Sequence, residues 1–187
     1  MTRSDQSKTV SRMRAQWTYR GQERPDFAIE PHDGQESVWD YPRPPIIQED
    51  FREVEVFDGK TLIARSKRTL RVLETAGAPC FYLPPEDVET KRLRQNRTRT
   101  FCEWKGEGIG FDTLSGIKDV AWSYPKTFEE SKPIEGWIAF YAAKVQCFVN
   151  SELVVPQPSG YYGGWVTHEI VGPYKGDPIV DDALKKP

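Results

Sequence analysis

Long apolar runs, histidines, closely spaced cysteines and net charge are all in short supply in this 187-residue chain. No stretch approaches the roughly 18 apolar residues of a membrane span. Met1 to Arg20 carries charges but no apolar segment, so no secretory signal is expected. A formal net charge of -2 supplies no whole-molecule basic field, which argues against nucleic acid and membrane surfaces as partners. Cys80, Cys102 and Cys147 stand alone, with no Cys-x-x-Cys, and the two histidines are His32 and His168. A structural zinc needs four ligands, usually in close pairs, so none is expected. The three cysteines read as reduced thiols of a cytoplasmic protein. There is no Gly-x-Ser-x-Gly. Gly108-Ile109-Gly110 lacks a third glycine and a following helix, and Gly172-Pro173-Tyr174-Lys175-Gly176 lacks Walker spacing. No cofactor is expected.

Aromatic residues are present in number, with 6 Trp, 8 Tyr and 9 Phe, enough to fill a small core although only 37% of the chain is hydrophobic. The polar residues crowd into positions 1–35, which read as a disordered arm that Trp17 and Tyr19 can anchor in part. Residues 36–176 read as one β domain and 177–187 as a flexible C-terminus. Ser37 to Pro45, rich in proline, reads as an extended strap with Trp39 and Tyr41 packed on the domain.

Regular structure is expected from about Arg52. Val54 and Val56 alternate with Glu53 and Glu55, Asp58-Gly59 signals a tight hairpin, and Lys60 to Ala64 returns. Further strands are expected at Thr69–Thr75, Cys80–Leu83, Thr98–Trp104, Gly108–Thr113, Val120–Tyr124, Trp137–Tyr141 and Val145–Val149. Pro84-Pro85-Glu86-Asp87 predicts one short helix near 85–94, with Asp87 and Lys91 four apart and able to pair. Short strands at this spacing indicate a sandwich, a barrel or a related two-sheet fold. The run Pro156–Gly176, rich in glycine and aromatics, reads as a wrap over a sheet.

Chemistry, if there is any, lies in Phe101-Cys102-Glu103-Trp104-Lys105-Gly106, in Ala121-Trp122-Ser123-Tyr124-Pro125, and in the strand from Trp137 to Tyr141. Aromatic walls with a few polar groups build a ligand pocket. They also build an aromatic core, and spacing does not separate the two. Cys102 is the best-placed thiol, with Arg99 and Lys105 near enough in sequence to favour thiolate. The alternative is a buried strand cysteine. His168 beside Glu169 reads as a surface pair. Lys91, Arg92, Arg94, Arg97 and Arg99 form a basic run without interleaved aromatics, which reads as a solvated face or as a docking surface.

These segments resemble the family called domain of unknown function 427. The matching text is Arg71-Val72-Leu73-Glu74, Phe81 to Val88, Cys102 to Gly106, Ala121 to Pro125 and Ile138 to Tyr141, with similar flanks from Ser37 to Pro45, from Tyr162 to Thr167 and from Ile170 to Pro173. The resemblance implies a β-tent-like architecture, two antiparallel sheets set at an angle. It also brings a nucleotidyltransferase label, which the residues do not support because no Asp-x-Asp is present to hold Mg²⁺. His168 departs from the small hydroxyl residue usual there.

Three functions follow as expectations. The first is an unidentified small molecule, bound or transformed in an aromatic cleft between the two sheets. Arg71, Glu74, Trp104, Trp122, Tyr124, Trp137 and Tyr141 would bind it, and Lys105, Glu103 and Cys102 would be the catalytic candidates. The second is a non-enzymatic interaction module using Arg92 and Arg94. The third is nucleotidyl transfer, on the label alone.

Overall fold

The computed structural model describes residues 3–184. Residues 1–2 of the expected arm and 185–187 of the expected flexible C-terminus lie outside the described residues. The chain opens with α1 (Arg3–Ala15) and a leader carrying β1 (Glu36–Ser37). There follow β2 (Ile46–Asp50), β3 (Val54–Asp58), β4 (Thr61–Ser66), β5 (Thr69–Leu73) and β6 (Cys80–Leu83). Next are β7 (Leu93–Cys102), β8 (Gly106–Thr113), β9 (Ala121–Lys126), β10 (Ile138–Phe140), β11 (Gln146–Val149) and β12 (Glu152–Leu153). The tail adds β13 (Val155–Pro156), β14 (Trp165–Val166), β15 (Ile170–Val171) and α2 (Pro178–Leu184).

The protein is mainly β. A seven-stranded antiparallel sheet runs β2-β5-β6-β10-β9-β8-β7, and a four-stranded one runs β12-β11-β3-β4. The strands of the expected series lie within two residues of their expected bounds, except that the one expected at Thr98–Trp104 begins five residues earlier, at Leu93. The Asp58-Gly59 hairpin turns where expected, with Gly59 at a φ of +61°, which costs a glycine nothing. The large sheet also includes β2, which the sequence reading missed. Three of its five residues, Gln48 to Asp50, are polar, and Ile46 is exposed, because β2 is an edge strand.

The expected helix near 85–94 is corrected. Pro85–Asp87 and Thr90–Arg92 are single 3₁₀ turns, and the chain is already in β7 at Leu93. An ammonium four residues ahead holds a carboxylate only if a full α-turn forms. Asp87 instead accepts from Ser66 and Arg68, and Lys91 pairs with Glu89.

Side-chain alternation gives the large sheet two faces. On its inner face Phe81, Leu83, Ala121, Ile138 and Phe140 pack with Val54, Val56, Ile63 and Val149 of the small sheet. On its outer face Val72, Tyr82, Trp122, Tyr124 and Ala139 form a separate cluster with Ile134. The register keeps these sets apart: Val72 lies opposite Cys80, Leu70 opposite Tyr82, and Ala139 opposite both Tyr82 and Trp122.

Leader and tail lie together against this body. Trp39 is fully buried, with Tyr19 and Phe27 edge-on at 5.4 and 5.2 Å. Its indole N–H donates to the Pro173 carbonyl, and β1 pairs in parallel with β15. Residues 17–28, expected in a disordered arm, therefore supply Trp17, Tyr19, Phe27 and Ala28 to a third cluster, and α2 supplies buried Val180. Few but large apolar groups are enough to hold these segments.

Candidate functional site

A cavity of about 210 Å³ lies on the outer face of the large sheet. It is not between the sheets, where the inner core fills the space. Its floor comes from alternate residues of adjacent strands: Val72 on β5, Cys80 and Tyr82 on β6, Trp122 and Tyr124 on β9, with Tyr141 just past β10. The Trp122 indole donates to the Tyr82 hydroxyl at 3.1 Å, and Tyr141 packs 4.4 Å from Trp122. One wall is the β7–β8 connection, with Cys102, Glu103 and Lys105. The roof is the tail, where Tyr161, Tyr162 and Gly163 arch over the floor. A Cβ on Gly163 would overlap the Trp122 ring, so the strap can approach that closely only as glycine.

At one end the cavity is charged. Glu74 follows β5 and meets three cations: Arg43 Nη2 at 2.6 Å, Lys175 Nζ at 3.4 Å and Lys105 Nζ at 3.7 Å. Glu103 stands 3.8 Å from Arg43. Trp17 stacks on the Arg43 guanidinium at 3.9 Å, and the Lys175 ammonium lies 5.0 Å from the Trp17 and Tyr162 rings. The Lys175 backbone is fixed on both sides. Its N–H donates to the Ala76 carbonyl, and its carbonyl accepts from buried Gln157, whose Oε1 in turn receives the Ala78 N–H.

These groups set one another's ionisation. Burial would push the Glu74 carboxyl up, but Lys175, Lys105 and Arg43 outweigh it and hold the group near 2. Burial opposes the charge of Lys105 too, yet neighbouring Cys102 and Glu74 raise its pKa well above the ordinary value. Burial lowers Lys175 and Arg43 despite Glu74. The Cys80 thiol is pushed up to about 11 by burial, so it is a poor nucleophile at neutral pH. Burial raises Tyr82 and Tyr124 as well, and both stay protonated as hydroxyls able to donate.

Seven of the ten candidate residues line the cavity: Glu74, Cys102, Glu103, Lys105, Trp122, Tyr124 and Tyr141. Three do not. Arg71 lies opposite Phe81 in the ladder, so it points to the other face from Val72; it pairs with Asp50 at 3.3 Å and with Glu36 at 3.2 Å. Trp104 turns away from its neighbour Lys105 and packs under the Arg14 guanidinium at 4.5 Å. Trp137 is half-buried beside the outer-face cluster. The sequence reading missed Arg43, Trp17, Tyr82, Gln157, Tyr161, Tyr162 and Lys175. The signal for the last three was a lysine and paired tyrosines within a glycine-rich tail. Nothing marked Arg43 inside the proline strap.

Fold and site together define a two-sheet antiparallel β protein that carries a basic, aromatic-floored cleft on the outer face of its larger sheet. Residues 46–151, more than half of the chain, match the family described as Domain of unknown function (DUF427), and the protein belongs to that family. No curated protein matches it. The matched segment builds the floor and the β7–β8 wall. Arg43, Gln157, the tyrosine roof and Lys175 come from outside it. Among the described residues, no group of three or more His, Cys, Asp or Glu is placed to hold a metal ion, and no helix is long and apolar enough to cross a membrane.

Proposed function

We propose that the protein binds a small, flat molecule in the outer-face cleft, laid on Trp122, Tyr124 and Tyr141 beneath the Tyr161–Tyr162 strap. The observation that carries this reading is the concavity itself, an aromatic floor joined at one end to a few fixed polar groups. That is the composition of small-ligand sites. The volume of about 210 Å³ falls below the roughly 300–1,000 Å³ of drug-sized pockets, so the ligand is a compact one. An enzymatic role would draw on Lys105, Glu103 and Cys102 at the wall. Of these, Lys105 is held as an ammonium and serves as an electrostatic anchor rather than a base.

Native mass spectrometry of the gently purified protein, set against its denatured mass, tests the proposal. The expected result is a retained small-molecule mass that disappears in a folded Trp122→Ala variant. A bare polypeptide, together with no movement of the Trp122 indole N–H signal in a screen of aromatic fragments, would count against it.

The basic run favours a second reading as an interaction module less well. Arg94, Arg97 and Arg99 lie on β7, an edge strand whose pairing with β8 is broken by a bulge between Gln95 and Arg99. Charge and a bulge on an edge are the usual protection against strand addition.

A further inference from the structure

We infer that the ligand of this cleft is a monoanion, a small aromatic or unsaturated carboxylic acid whose carboxylate sits among Arg43, Lys105 and Lys175. This rests on the small-molecule reading above and deepens it. The charged side chains that line the cleft are Arg43, Lys105 and Lys175 against Glu74 and Glu103, which leaves one positive charge uncompensated. All three cations are buried: the Arg43 side chain is 1% exposed, and those of Lys105 and Lys175 are each 9%. An unbalanced charge at such burial is expensive unless something neutralises it, and a carboxylate of charge -1 does so.

The cations are also held in place at that end: Glu74 and the Thr75 carbonyl engage the Arg43 Nη2, and Glu74 reaches both lysine ammoniums. A carboxylate is the acceptor whose geometry suits guanidinium and ammonium N–H groups. The other end of the cleft offers aromatic faces and the hydroxyls of Tyr82 and Tyr124, so the acid carries a flat apolar body. Two of the three cations, Arg43 and Lys175, lie outside the segment that matches the family. The acid-binding end is thus completed by the leader and the tail.

Calorimetric titration with benzoate and indole-3-carboxylate, each paired with its neutral amide, tests the inference, with phenyl phosphate as a dianionic probe. The expected result is binding of the acids and at least about tenfold weaker binding of the amides, as loss of a charge-assisted hydrogen bond implies. Lys105→Met and Lys175→Met should each weaken the acids about tenfold, with circular dichroism confirming the fold, and Lys105→Arg should restore them. Equal affinity for acids and amides would overturn the anionic assignment while leaving the small-molecule cleft in place. Tighter binding of phenyl phosphate than of benzoate would overturn the monoanion assignment. Failure of acids, amides and phenyl phosphate alike to bind or to move the Trp122 indole signal would sink both readings.

Discussion

The two faces of the seven-stranded sheet are made by the same strands and have opposite characters. Phe81 and Tyr82, Ala121 and Trp122, Phe140 and Tyr141 are neighbours in sequence, and one of each pair goes to each face. The inner face meets apolar side chains of the small sheet, with the buried Cys147 thiol among them. The outer face carries hydroxyls, an indole N–H and thiols, and it is covered by a strap instead of a second sheet. A single-residue step is all that separates core from cleft, so a strand can hold the fold with one set of side chains and leave the other set free for a ligand.

The sharpest way to break the comparison is to alter one residue of each face where β10 ends. Phe140→Ala removes a fully buried ring from the inner core and should cost about 3–5 kcal/mol in urea unfolding. Tyr141→Phe, one residue on, removes a hydroxyl whose contact with the Tyr161 carbonyl is already long at 3.5 Å. It should leave the midpoint within about 0.5 kcal/mol of the parent value. Equal losses would mean that the outer face is core as well.

Next in size is the charged end of the cleft. Glu74→Gln strands three cations without their shared carboxylate and should cost on the order of 3 kcal/mol, the scale for removing one partner of a buried ion pair. The pH dependence has a definite sign. The native pKa of Glu74 is depressed from 4.5 to about 2, so its contribution is present above 4.5 and is lost as pH falls through 2. Unfolding followed from pH 5 to pH 2 should show a decline in the parent that is shallower in Glu74→Gln. Identical slopes would mean that the cations do not act on Glu74.

The strap gives a smaller effect. In Gly163→Ala the new methyl overlaps the Trp122 ring, so either the ring or the strap must move, at about 1–3 kcal/mol. Limited proteolysis should then cut near Tyr161 and Tyr162 faster than in the parent. An unchanged cleavage rate would show that the roof is not held by its contact with the floor.

How much of this was legible in the sequence depends on range. Local signals carried far: the Asp58-Gly59 turn, the strand series and the wall segment from Cys102 to Lys105 all come from patterns a few residues long. Parity did not carry. Arg71 and Glu74 lie three apart in one motif, yet Arg71 faces the Asp50 and Glu36 carboxylates while Glu74, beyond the strand end, reaches the cleft. Trp104 and Lys105 diverge in the same way at a turn, where alternation stops. The remainder was out of reach because it depends on partners far apart in the chain. Lys175 meets Glu74 across 101 residues and Arg43 meets it from the leader, and no spacing rule announces such contacts. Within the arm, Trp17 and Tyr19 were named as anchors, whereas Phe27 was not, because composition averages over a single ring.

The smallest effect belongs to a pair on the surface, and it marks the limit of the comparison. His168 Nδ1 lies 2.6 Å from a Glu152 oxygen, and its backbone N–H donates to the other oxygen. The hydrogen bond with Glu152 raises the His168 pKa above 6.5. Whatever the pair contributes is therefore complete below 6.5 and fades as pH rises through the native value. The imidazole is largely exposed, with 79% of its side chain open to solvent, so water and salt screen the interaction. His168→Ala should accordingly leave the urea midpoint unchanged within error at pH 5 and at pH 8, and should leave ligand affinity untouched. A clear loss at pH 5 that vanishes at pH 8 would show that the tail is held by this pair and not only by Trp39, Trp165 and the β1–β15 pairing. The roof of the cleft would then be sensitive to pH through a residue that does not line it.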